Sequence, residues 1–328
     1  MDELIKEIKN LKVDVSKEAF VLMNSRYSPI LIEKKNFTII PDLDNKDYSE
    51  DFSEIAFIDG GQAVLFEGAS FCIGVIRVVA IIYKENKRVS KKLEEFNVFI
   101  NMEKDNFIVK TFPSNNLNDI IINSKDEALN YDDERVVPSR VLSIVRRLAE
   151  LNIASNFDTV VIDGTLEARY PYEIDYVNNL KNAFALSKTC SLTTNIGIGV
   201  TDYLRNLMDG QWVYYPVVKN NNPLHPADIC FIKLNNNSEY IFRFEYKKNI
   251  EFNKVLKIIR TLSLNSNDPV FLGYPYGLID ADQYARFTNN EKKLLQTKIG
   301  VKLGKEWYAF SKMLTSMNSH EVLDNIKF

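Results

Sequence analysis

Two tripeptides of the same form, Ile58-Asp59-Gly60 and Ile162-Asp163-Gly164, stand roughly a hundred residues apart, each aspartate ending a run of at least three apolar residues. A carboxylate where a buried strand surfaces is costly unless it is paired or binds a cation. Asp-Gly is also ordinary turn chemistry, because Asp caps a turn and Gly takes positive φ, so either tripeptide alone reads equally well as a strand-terminating turn. Glu150, 13 residues before Asp163, adds a third acid, on a helix whose surface could equally carry it as a solvated charge. Asp282 is a fourth, near the start of a late helix, where an acid also favours the helix dipole. Convergent carboxylates suit phosphodiester hydrolysis. That reaction needs a water made nucleophilic at neutral pH and a leaving alkoxide stabilised as charge builds, and two divalent cations about 4 Å apart do both. Hard cations select oxygen ligands.

Other chemistries have less to stand on. The two histidines, His225 and His320, have no plausible partner nearby in sequence, which makes a catalytic triad hard to assemble. Neither GxxxxGK[ST] nor GxGxxG is present, which argues against nucleotide hydrolysis. Cys72, Cys190 and Cys230 are odd in number and show no CxxC spacing, so they read as reduced, buried small hydrophobes. Lys188, in a Ser-Lys-Thr turn, and Lys233 and Arg243 are candidate phosphate contacts or plain exposed charges. Tyr274 and Tyr276 flank Pro275 and could stack on single-stranded bases or pack the last strand.

The elements that must position these residues follow from hydrophobic patterning. The 328 residues are 45% hydrophobic, enough for a sizeable core, and no apolar stretch approaches the roughly 18 residues of a membrane span. With a charged amphipathic start, the expectation is a soluble, intracellular protein. A net charge of −3 argues against a broadly basic nucleic-acid surface but leaves room for a local basic groove. Residues 2–24 suggest one or two helices, and 41–54 a polar loop. Ile55 to Tyr83 reads as a strand ending at the double glycine, then two more in a meander, with a hairpin over 96–112 and a polar excursion over 113–134. Val141, Ile144, Val145, Leu148, Leu151 and Ile153 recur at helical spacing and feed the β-branched strand Thr159–Asp163. Strands are expected at 183–187, 212–218, 229–234, 240–246 and 269–273, and helices at 249–263, 289–299 and 305–317. A helix feeding a parallel strand is α/β architecture.

The order of the acids is the signature of a ribonuclease-H-like fold: Asp on the first strand, Glu on a helix, Asp on a later strand, an acid in a C-terminal helix. From about Ile55 to about Asn289 the chain resembles the NurA nucleases, which act with the hexameric ATPase HerA in processing DNA ends. The carriers are Ile58-Asp59-Gly60-Gly61, Ala149-Glu150, Val161-Ile162-Asp163-Gly164-Thr165-Leu166, Ala185-Leu186-Ser187-Lys188-Thr189, Phe231-Ile232-Lys233-Leu234, Phe242-Arg243-Phe244-Glu245, Gly273-Tyr274-Pro275-Tyr276 and Ala281-Asp282. The resemblance implies one α/β domain over 1–328, a ribonuclease-H-like mixed sheet flanked by helices. Its core spans about 50–290, with an N-terminal extension over 1–50 and C-terminal helices over 290–328. It implies a deoxyribonuclease with 5′ to 3′ exonuclease and single-strand endonuclease activity, using Mn2+, as two ions, or Mg2+. Its partners would be single-stranded DNA, duplex ends, a HerA-type ATPase and a second copy of itself, in a prokaryotic cytoplasm at the nucleoid. Asp59, Glu150 and Asp163 would hold metal, and Asp282 stands where members carry His or Asp. Gly61 and Thr165 replace the family's usual serines, and a tyrosine expected near Phe231 is absent. A catalytically inactive DNA-binding or HerA-docking scaffold, and a ribonuclease-H-like nuclease of another branch, are the alternatives.

Overall fold

Helix α1 (Asp2–Asn10) and the short strands β1 (Tyr27–Pro29) and β2 (Phe37–Ile39) precede a meander of β3 (Ile55–Glu67), β4 (Phe71–Lys84), β5 (Lys87–Glu103) and β6 (Asn106–Phe112), followed by β7 (Ile121–Asn123). Then come α2 (Pro138–Ala154), β8 (Thr159–Asp163), α3 (Glu173–Asn179), β9 (Asn182–Ser187), α4 (Val200–Arg205), β10 (Trp212–Tyr214), β11 (Val218–Asn220), β12 (Ala227–Lys233) and β13 (Phe242–Lys247). Helices α5 (Phe252–Leu264), α6 (Tyr276–Ala285), α7 (Asn289–Leu303) and α8 (Trp307–Thr315) complete the chain. This computed structural model describes residues 1–10, 14–40, 54–114, 117, 120–126, 129, 136–170 and 172–315.

Among the described residues, eleven strands form one sheet in the order β2-β10-β12-β13-β9-β8-β3-β4-β5-β6-β7. β8 runs parallel to β3 and β9 parallel to β8, while the meander β3-β4-β5 is antiparallel. A meander, a crossing helix and two parallel strands beside the first strand make the ribonuclease-H-like mixed sheet that was expected. Side chains alternate along each strand. Ala56, Ile58, Val160 and Ile162 therefore join the core under α2, and Phe57 and Val161 the core under α5 and α6. The helix read from Val141 to Ile153 buries all six of those positions.

Several expectations need correction. Strand β3 does not stop at Gly60-Gly61 but continues to Glu67, paired with β4 throughout. Those glycines serve close approach instead of a turn: a Cβ on Gly61 would lie 2.0 Å from the Ala285 carbonyl oxygen, and one on Gly60 2.6 Å from Glu150 Oε1. Strand β8 does end at Asp163, with Gly164 in a bend at φ +112°. Residues 269–273 make turns and no strand, with the Gly273 N–H donating to Ser266 O and Tyr274 N–H to Phe271 O. The strand expected over 212–218 divides into β10 and β11 at Pro216, whose nitrogen has no hydrogen to give a ladder. Within 14–24 the chain is extended and bridged, Val21 to Thr194, and no second helix follows α1 there. In that N-terminal segment Ala19, Val21, Tyr27 and Ile32 pack in one core with Trp212 and Phe231. The expected polar loop, apart from Glu54, and His320 lie outside the described residues.

Candidate functional site

Register places the two aspartates side by side. Ile58 pairs with Ile162, so Asp59 and Asp163 are level on adjacent parallel strands, about 4.8 Å apart in backbone. By alternation both carboxylates leave the sheet on the α6 face, and Asp282, in the last turn of α6, comes from above. It is therefore not the helix N-terminal acid that its sequence context suggested. Glu150 arrives from the opposite, α2 face. It reaches the other acids because Gly60 has no side chain in its way.

Buried acids so close perturb one another. Burial pushes the Asp59 carboxyl up to about 7, helped by the charges of Glu150 and Asp163 and opposed by the Gly60 N–H and Lys188. Burial also raises Glu150 above the usual carboxylate range, against the pull of Arg146 and Arg147. Arg146 Nη1 donates to Glu150 Oε1 at 2.9 Å and to Gly60 O at 2.7 Å. Arg147 pairs with Glu150 at 3.4 Å and with Glu173 at 2.9 Å, and donates to Thr165 O. Lys188 Nζ lies 2.5 Å from Asp163 Oδ2 and 3.8 Å from Asp282 Oδ1. Burial would lower the Lys188 pKa, but the Asp163 hydrogen bond and the charges of Asp163, Asp59 and Asp282 hold it above its ordinary value.

Asp59, Glu150, Asp163, Lys188 and Arg243 line one cavity of about 860 Å³, whereas Asp282 is not among its lining residues. Its donor set of carboxylate oxygens fits a hard divalent cation. Among the described residues, however, no three acidic, imidazole or thiol groups are drawn together into a set that could hold an ion. Asp163 is taken up by Lys188, and Glu150 by two arginines.

The structure sorts the other candidates. Lys188 and Arg243 line the cavity, whereas Lys233, 5% exposed on β12, does not. The stacking role expected for Tyr274 is corrected: the ring is fully buried against Phe242 and Phe271. Its hydroxyl instead lies 3.5 Å from Asp163 Oδ1. Tyr276 is half-buried against the core under α5 and α6. The expectation that His225 lacks a partner is also wrong. Its Nε2 lies 2.8 Å from Glu245 Oε2 and its Nδ1 2.8 Å from the Tyr27 hydroxyl. With the proton on Nε2, the ring donates to Glu245 and accepts from Tyr27. Glu245, fully buried, also accepts from the Leu166 N–H at 2.7 Å and meets Arg243 Nη2 at 2.6 Å. These partners come from segments up to 218 residues apart, as Tyr27 and Glu245 do, so local sequence carries no trace of the contacts. The one sequence signal was alternation in Phe242-Arg243-Phe244-Glu245, which sets Arg243 and Glu245 on one face.

Residues 191–287 match the family model of the NurA domain. The NurA nuclease from Sulfolobus solfataricus superposes with a TM-score of 0.52 at 14% identity, over 93% of this chain and 95% of that one. The catalytic domain of human Endonuclease V gives a TM-score of 0.36 at 10% identity, over 78% and 89%. A Ciona intestinalis Endonuclease V crystallised with inosine-containing DNA gives 0.39 at 10%, over 74% and 86%. No curated protein matches in sequence. Residues 191–287 are thus similar to the NurA domain, and the chain has the fold of a NurA nuclease over nearly its whole length.

Proposed function

We propose that this chain is a metal-dependent deoxyribonuclease, cutting single-stranded DNA and degrading DNA from its ends in the 5′ to 3′ direction. The observation that carries the reading is the level placement of Asp59 and Asp163 beneath a polar cavity, with Glu150 admitted past Gly60. Asp59, Glu150, Asp163 and Asp282 would hold Mn2+, as two ions, or Mg2+. Bound there, the cations would activate a water and stabilise the leaving alkoxide. Arg146 and Arg147 fix the Glu150 carboxylate, and Glu173, accepting from the Arg169 and Tyr170 N–H groups, fixes Arg147. Lys188 balances Asp163 and Asp282, and its ammonium is free to turn to a phosphate once those acids are otherwise neutralised. The role follows in DNA end resection and double-strand-break repair, as a homodimer docked on a HerA-type ATPase, in the cytoplasm at the nucleoid. Among the described residues no helix is long and apolar enough to cross a membrane.

One observation favours a second reading, a catalytically inactive DNA-binding or HerA-docking scaffold: the acids are already matched by Lys188, Arg146 and Arg147. A thermal-shift titration with Mn2+ separates the two. A nuclease site gains stability from bound cation, so the melting midpoint rises with millimolar Mn2+ in the wild type and not in Asp163→Asn. An unmoved wild-type midpoint favours the scaffold.

A further inference from the structure

The end of the cavity away from the carboxylates holds a group that the hydrolytic chemistry leaves unused. Arg243 projects from β13, which is separated from β8 by β9, so it starts about 10 Å from the Asp163 strand. Its side chain is only 9% exposed yet lines the cavity, beside Tyr27, Glu167, Ser187 and Cys190. A guanidinium offers five N–H donors in a fixed fork. Here its contact is the 2.6 Å ion pair with Glu245, and Nε has no hydrogen-bond partner among the described residues. A buried charged donor left unmatched is costly. The fold nevertheless invests heavily in keeping it there: Glu245 is pinned by His225 and the Leu166 N–H, His225 by Tyr27, and Tyr27 by Asn222. Because Glu245 spends its second oxygen on His225 and Leu166, its charge is shared and leaves Arg243 with donors to spare. Glu167 opposes an anion here, but it is itself engaged by Tyr27, Asn222 and Arg169.

We propose that Arg243 is a second anion subsite of the cavity, taking a backbone phosphate of the bound strand next to the one at the carboxylates, with Glu245, His225 and Tyr27 as its positioning residues. The identity of that strand as DNA rests on the nuclease reading. The N-terminal segment thereby becomes part of the substrate site, because Tyr27 closes the chain of contacts from β1. Guanidinium suits the task, since its planar fork matches phosphate oxygens as an ammonium does not.

The test is binding without hydrolysis: an internally labelled oligo-dT with chelator present, titrated with the full chain by fluorescence anisotropy at several NaCl concentrations. Replacing Arg243 alone would strand the Glu245 charge, so the main variant is the double substitution R243Q/E245Q, which removes both. We expect it to bind about tenfold more weakly, with a salt slope smaller by about 0.7. Wild-type affinity and slope in a variant of unchanged melting midpoint would overturn the subsite and leave Arg243 a mere counter-ion. If the double variant melts early, R243K keeps the charge beside Glu245 without the fork. Several-fold weaker binding by R243K supports the subsite, and wild-type affinity overturns it. Hydrolysis in Mn2+ is read in parallel. If the wild type does not cut but Arg243 still governs binding, the nuclease reading falls alone; if it cuts and the variants bind as wild type, the subsite falls alone.

Discussion

At the scale of single residues, the central fact is a carboxyl group kept close to neutral by its surroundings. Asp59 has an ordinary value of 3.8 and is pushed up to about 7 by burial and by Glu150 and Asp163. Between those two pH values the folded chain holds a proton that the unfolded chain has released, so folding stability falls as pH rises through that window. Asp59→Asn removes this penalty. Its melting midpoint is expected to exceed that of the wild type at pH 8, with the gap closing towards pH 4, in paired melts across the range; equal midpoints at pH 8 would contradict the buried-acid picture. Glu245 behaves oppositely. Burial would raise it, but Arg243, the His225 hydrogen bond and the Leu166 N–H hold it at about 2, below its ordinary 4.5. Its contribution is present above about pH 4.5 and is lost as pH falls towards 2. Acid unfolding of R243Q/E245Q should therefore be shallower than that of the wild type between pH 4.5 and 2. The four acids were visible in the sequence because apolar runs flank the two aspartates. Their counter-charges were not: Arg146 and Arg147 are interleaved on an amphipathic helix, where arginines usually mean solvent, and Tyr274 reveals its burial only through contacts with β13.

At the scale of elements, glycine decides what meets what. Gly60 lets a residue of α2 cross to the acids, and Gly61 lets the end of α6 lie against β3. A methyl at position 60 meets the Glu150 side chain, which can shift only by loosening its pairs with Arg146 and Arg147, whereas one at position 61 meets backbone. Gly60→Ala is accordingly expected to lose most activity with a smaller loss of stability than Gly61→Ala, which is expected to lose about 1–3 kcal/mol by overpacking. Denaturant melts and Mn2+-dependent cleavage, measured on both, check the contrast; similar stability losses would refute it. The sequence invites the misreading, because Asp-Gly after an apolar run looks the same whether the strand stops or a neighbour presses in. Parallel strands β8 and β9 and helix α2 were readable from their uninterrupted or periodic apolar residues. The first half of β5 was not, since Lys87 to Glu95 is charged and mostly exposed and owes its strand form to pairing with β4. Residues 269–273 erred in the other direction, an apolar run that folds into turns around Gly273 at φ +91°.

At the scale of the molecule, α7 and α8 cover the far end of β3 and β4, where Leu65, Phe66 and Val75 pack with Leu295, Ile299 and Phe310. A chain ended after Thr288 bares that cluster and is expected to aggregate or melt earlier than the full chain, as light scattering during a thermal ramp would register; identical behaviour would show that these helices add nothing to the fold. The general layout, a mixed sheet with helices on both faces and closing helices behind, was legible because each unit announces itself locally. The joining of the N-terminal segment to the site was not, since Tyr27 meets His225 across 198 residues. If the level aspartates make this cavity hydrolytic, as proposed, the most direct measurement is degradation of single-stranded and end-bearing DNA in Mn2+, with and without chelator, by the wild type, Asp59→Asn and Asp163→Asn. Cleavage by the wild type that chelator stops and that each folded variant lacks is the result predicted; full activity in either variant, or activity indifferent to chelator, contradicts it.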